Sequence, residues 1–438
     1  MRTLRKSLLQ FVFSGSSMRR WNDKLRPVEL YEVDKQAHKM ICAFFLYQLQ
    51  CRRMDMDAAL VLGRKIVEGA LFDYLYRLVI TDIKPPVFYR IKENPEHYRQ
   101  LTGWVLGELE PVVRPMDEGF WQRLAHYHRR PGALRPEDGT DGAKGLFPAP
   151  GGPDLADRIL RAAHLYASKW EFNLIRPLNA FDEEMGDIER SFDEELRELA
   201  DLAGVPELLA GSGNALVRAA NLCGQLRFQI RWSQTPRVPE TSVLGHMFVV
   251  AAYAYFLSLS LGACEMRCIN NFFCGLFHDV PELLTRDIIT PVKRSVEQLP
   301  GIIHQYEDEA LRCRMLRPLA EAGYGDIAER MSYYLGLEAG SEFAETLRDP
   351  SDRSTGAVRC LESFEALHRI GNDNRLDPKD GQLVKVCDTL AAFIEARTSV
   401  YNGVSSPPLY EAMSRIRAEY RHQSLGDFNV GTLLADFD

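Results

Sequence analysis

The sequence predicts an all-α protein built from two helical units. Three observations carry that prediction. Apolar residues recur at three- and four-residue spacing along nearly every patterned segment, and no run of alternating β-branched residues is found. The 438 residues are more than one core usually serves. A faint internal repeat relates the front of the chain to the back.

The helical segments come in order. Ala37 to Cys51, Ala58 to Leu78, Glu96 to Val112, Leu155 to Leu174, Phe192 to Ala203 and Ala215 to Phe228 all show the helical period. Residues 129–154 are dominated by Pro, Gly and Asp and read as a flexible loop. Gly211-Ser212-Gly213-Asn214 suits a boundary, giving units of 1–210 and 211–438. The helical signal then continues to Arg421, broken by polar stretches at Ser341 to Gly356 and Gly371 to Gly381.

Composition narrows the function. Apolar residues make up 46% and charged residues 26%, as in soluble globular proteins. A net charge of −8 gives no support to a broad basic surface for nucleic acid, so no nucleic-acid partner is expected. The apolar run from Met247 to Leu261 is short of a membrane span and reads as a buried helix. The nine cysteines include no CxxC pair, which fits reduced thiols. With no convincing signal peptide, the expected location is the cytoplasm.

The repeat lays Phe72 to Val87 on Phe277 to Val292 without gaps, matching Phe72 with Phe277, Leu78 with Leu283 and Asp82 with Asp287. Upstream, Arg20-Trp21 precedes His38 much as Arg231-Trp232 precedes His246. The copies differ in chemistry. His278-Asp279 is answered by Asp73-Tyr74, and Glu282 by Arg77. The first copy has therefore lost the central pair that a metal site needs.

The chemistry gathers around Gly275 to Lys293. His278 and Asp279 are adjacent, Glu282 follows three residues after the Asp and Asp287 eight after it. An imidazole beside a carboxylate suits a divalent transition metal better than calcium. Asp388 stands amid Val384, Val386, Cys387, Leu390 and Ala391, a costly place for a carboxylate without a cation. His246 near the start of the helix Leu244 to Leu261 completes a series His, His-Asp, Asp over three helices.

His246, His278-Asp279 and Asp388 resemble the signature of the HD-domain metal-dependent phosphohydrolases. With Arg231-Trp232, the HDxxE run, Asp287 and Thr290-Pro291-Val292-Lys293, the pattern looks most like the bacterial HD-domain 5′-deoxynucleotidase branch. It spans Gln229 to Ala396, under half of the chain. The resemblance implies an HD-like helical bundle in which His246, His278, Asp279 and Asp388 bind one divalent ion (Mn, Co, Fe, Mg or Zn). It implies that Glu282 handles a proton, Asp287 assists beside the phosphate, Arg231 holds the phosphate and Trp232 meets the sugar. The expected substrate is a small nucleotide or phosphate ester, most nearly a (deoxy)nucleoside 5′-monophosphate. A nucleoside triphosphate or signalling-nucleotide hydrolase and a catalytically silent nucleotide sensor are the alternatives. The branch enzymes are single-unit homodimers, so the degenerate copy in front implies a pseudo-dimer within one chain.

Overall fold

The computed structural model describes residues 3–130, 154–285, 296, 298–349 and 358–437. Most of the expected loop 129–154, together with Arg286, Asp287 and the 290–294 segment, lies outside the described residues. The chain is all-α with two short hairpins, Glu345–Leu347 with Arg359–Leu361 and Ser424–Leu425 with Phe428–Asn429. It divides into two compact units. One holds residues 17–217; the other holds 2–16 and 218–438, so the N-terminal helix Lys6–Phe13 belongs with the second unit.

In the first unit, helices Glu32–Cys51, Met56–Ile80 and Leu155–Ile175 pack on one another through residues such as Ile41, Phe44, Leu71, Leu75, Ile159 and Leu165. Side-chain caps fix several starts. Asp55 accepts from the Ala58 amide at 2.8 Å, and Asp117 accepts from Phe120 at 2.7 Å. The helix expected over Phe192 to Ala203 instead runs Glu184–Glu198. Its early turns are acidic and polar, so the apolar period alone hid its start.

The second unit is organised around helix Val243–Ser260, capped by the Ser242 hydroxyl accepting from the Gly245 amide at 2.9 Å. This helix is long and apolar enough to cross a membrane, but 89% of it is buried within the protein, as a core helix should be. It packs against Glu265–Phe277 and Gly381–Tyr401, and the Tyr253 hydroxyl donates to the Leu9 carbonyl at 2.7 Å. Gly275 permits the tightest approach. A Cβ there would lie 2.9 Å from the Ala251 backbone. Gly275→Ala is expected to cost about 1–3 kcal/mol by forcing these two helices apart; a chemical-denaturation midpoint equal to wild type would contradict this.

The polar stretch between Ser341 and Gly381 forms structure of its own. Thr346 and Lys379 form an isolated bridge beside the first hairpin. Buried Arg267 donates to both oxygens of Asp380, at 2.5 and 2.6 Å, and Asn271 donates to Asp380 at 2.9 Å. The Glu345 carboxylate accepts from the amides of Gly381 and Gln382, at 3.1 and 2.9 Å. These contacts cap and seat the helix Gly381–Tyr401, which brings two carboxylates to the site.

Candidate metal centre

Three helices deliver the predicted ligands. His246 lies in the first turn of Val243–Ser260, where its side chain is buried. His278 and Asp279 sit where Glu265–Phe277 ends, and the turn there points both side chains the same way. Asp388 lies two turns into Gly381–Tyr401. A helix C-terminus carries partial negative charge, which favours a cation beside it.

Donor atoms of His246, His278 and Asp388 all lie within 4.8 Å of one another, the one such group of metal-binding residues among the described residues. Asp279 stands close by. Its Oδ2 is 3.2 Å from His278 Nε2 and 3.8 Å from His246 Nε2. It is also engaged by Arg231, whose Nη1 donates to Oδ2 at 3.2 Å.

The ring nitrogens fit a cation. His278 Nδ1 donates to the Gly275 carbonyl at 2.8 Å, so Nε2 is the nitrogen facing the carboxylates. That Nε2 is buried, with Asp279 Oδ2 3.2 Å away. His246 Nδ1 lies 3.2 Å from Glu395 Oε1, and its Nε2 lies 3.1 Å from Asp388 Oδ1. A carboxylate at Nδ1 requires a proton there, which again turns Nε2 toward the ion position. Burial opposes charge on His278, yet Asp279 and then Asp388 push its pKa up to about 9. Asp388 titrates well below the usual carboxylate range: burial alone would raise it, but the His246 hydrogen bond, Lys385 and the histidine charges outweigh that. Such a site favours positive charge, and a divalent ion would supply it.

Glu395, beside the centre, is a residue that sequence reasoning missed. Its carboxylate accepts from His246 Nδ1, from the Thr241 hydroxyl at 3.0 Å, from the Trp232 indole at 2.9 Å and from Arg231 Nε at 3.5 Å. Although burial works against its charge, Arg231 and Arg237 hold its pKa well below normal. The signal was present: Glu395 lies seven residues after Asp388, on the same helical face, between Ile394 and Ala396. Glu395→Gln is expected to weaken metal affinity about 10–100-fold. Calorimetric titration of the stripped protein with Mn or Co checks it, and wild-type affinity would contradict the role.

Arg231 and Trp232 stand beside the centre. Trp232 has φ of 57°, a left-handed backbone uncommon for a bulky residue and a form of strain that gathers at functional sites. Its half-buried ring lies under the Arg237 guanidinium, 5.7 Å from its centroid. Glu282 opens the short helix Glu282–Thr285, its amide donating to the Asp279 carbonyl at 3.1 Å, and its charge acts on Arg231. Lys385, also missed, donates to Asp388 Oδ2 at 3.1 Å and lies over the Phe343 ring at 4.4 Å. Asp287 is outside the described residues.

Residues 223–417 match the family model described as the HD domain. No curated protein and no solved structure matches the chain. The match falls within the second unit, and proteins with an HD domain are in general metal-dependent phosphohydrolases.

Proposed function

We propose that the second unit is a metal-dependent phosphohydrolase acting on a nucleotide, and that its preferred substrate is a (deoxy)nucleoside 5′-monophosphate. The observation that carries the reading is the clustered set His246, His278 and Asp388, with His278 Nε2 facing the carboxylates and Arg231 beside them. Asp279 joins the set as the fourth ligand. A bound divalent ion would lower the pKa of water and offset phosphoryl charge.

The chain's own residues do the rest. Arg231, held between Asp279 and Glu395, presents a charged planar fork to phosphate oxygens. Trp232 offers its ring face to the sugar while its indole N–H stays fixed on Glu395. Glu282 moves the proton, taking it from water or giving it to the leaving oxygen. Asp287 assists beside the scissile phosphate. The preference for a monophosphate rests on the Arg231-Trp232 element and its likeness to the nucleotidase branch. We also propose that the first unit is a diverged copy of the second that performs no hydrolysis.

Phosphate release from ribo- and deoxyribonucleoside mono- and triphosphates tests the reading, with chelator-stripped protein reloaded in turn with Mn, Co, Mg or Zn. Turnover of deoxynucleoside monophosphates with Co or Mn is expected. Turnover confined to triphosphates would keep the metal site and discard the monophosphate assignment. Tight metal binding without any turnover would turn the reading to a nucleotide sensor.

A further inference from the structure

The two units repeat one construction in detail. Trp21 has φ of 56° and Trp232 has φ of 57°. Arg19 bridges Tyr31, and Ile230 bridges Ser242. The Arg20 amide donates to the Leu30 carbonyl at 2.8 Å, and the Arg231 amide to Thr241 at 2.9 Å. Arg26 reaches back to the Arg20 carbonyl at 3.4 Å, as Arg237 does to Arg231 at 3.1 Å. All these pairs keep a single sequence offset.

The buried carboxylate is repeated too. Glu171 accepts from Trp21 Nε1 at 3.1 Å and from Arg20 Nε at 2.8 Å, the same donor atoms that Glu395 receives from Trp232 and Arg231. This node fixes the register between the units. Four residues beyond the bridged Tyr31 stands Lys35, and four beyond Ser242 stands His246. His38, paired with His246 in the sequence reading, lies one turn further along and packs on Tyr166 and Trp170. That pairing is corrected to Lys35. Seven residues before Glu171 stands His164, where Asp388 stands seven before Glu395.

From this register we infer that Lys35 takes the place of the ligand His246 in the first unit, an ammonium where the second unit offers an imidazole nitrogen, so that the chain carries one metal centre. Lys35 is 1% exposed, and its Nζ lies 3.1 Å from Glu32 Oε1. The other oxygen of Glu32 accepts from Arg20 Nη1 at 2.9 Å. Asp73, at the sequence position of His278, pairs with Lys39 at 3.5 Å. An ammonium has no lone pair to give, and a buried carboxylate beside it is already neutralised. The residues present do not fit an ion, and none of the described residues of this unit forms a metal-binding group.

The inference rests on the metal reading of the second unit and on the first being its copy. The test is metal content of the full chain after reloading with Co, by elemental analysis, for wild type, His246→Ala and Lys35→Met. One ion per chain is expected in wild type and in Lys35→Met, and none in His246→Ala. Two ions per chain, one surviving His246→Ala, overturn the inference while leaving the metal reading intact. No ion in wild type overturns the metal reading and the inference with it. Hydrogen exchange on wild type gives a second readout. Chelation is expected to loosen Val243–Ser260 and Gly381–Tyr401 and to leave Glu32–Cys51 and Leu155–Ile175 unchanged. Loosening of Glu32–Cys51 to the same degree overturns the inference.

Discussion

Replacing His278 with Ala is expected to remove both the bound metal and phosphate release. The residue is 4% exposed and its ring is fixed by its Nδ1 donation to Gly275. Its loss also removes from Asp279 and Asp388 the ring whose charge favours their ionised forms. The cost should exceed the roughly 10–100-fold loss expected for a residue that only supports a ligand. A His278→Ala protein that keeps its metal and its turnover would sink the central assignment.

The same ring sets a pH dependence of opposite sign with and without metal. Its pKa is raised from 6.5 to about 9 in the folded, metal-stripped protein. The stabilisation this gives is fully present below pH 6.5 and is lost as pH rises through about 9. The melting temperature of chelated protein should therefore lose this contribution between those values, and that part of the slope should vanish in His278→Ala. Metal binding needs the neutral ring, so affinity should rise over the same window. A metal affinity that falls as pH rises from 6.5 to 9 would contradict His278 as a ligand.

Glu282→Gln is expected to lower kcat by about 10²–10⁴ while the metal stays bound. Glu282 follows Asp279 by one tight turn and carries its charge within reach of Arg231. An amide of the same shape can neither take a proton from water nor give one to a leaving oxygen. It supplies no ligand, so metal content should match wild type. Phosphate release within tenfold of wild type would assign the proton transfer elsewhere.

Much of this was legible along the chain. The helical period placed the core helices to within a few residues, because apolar spacing records which face is buried. The His278-Asp279 pair was visible because both residues come from one helix end. Asp388 was visible because a carboxylate in an apolar run calls for a cation. Glu395 carries the same signature between Ile394 and Ala396, but what it holds, the Nδ1 of His246, lies 149 residues away in sequence.

The sequence by itself determined an all-α chain and the residue types at its chemical centre. Only the tertiary structure decided the rest: that Glu395 ties His246, Arg231 and Trp232 into one node, that the stretch after Ser341 folds back to cap the Asp388 helix, and that Lys35 rather than His38 answers His246. Helical periodicity says which face of a helix is buried but not which residue of another helix it meets. A three-residue slip keeps a side chain near the same face, so sequence spacing could not separate Lys35 from His38. The bridges and the left-handed tryptophans fix that register, because backbone hydrogen bonds allow a single pairing.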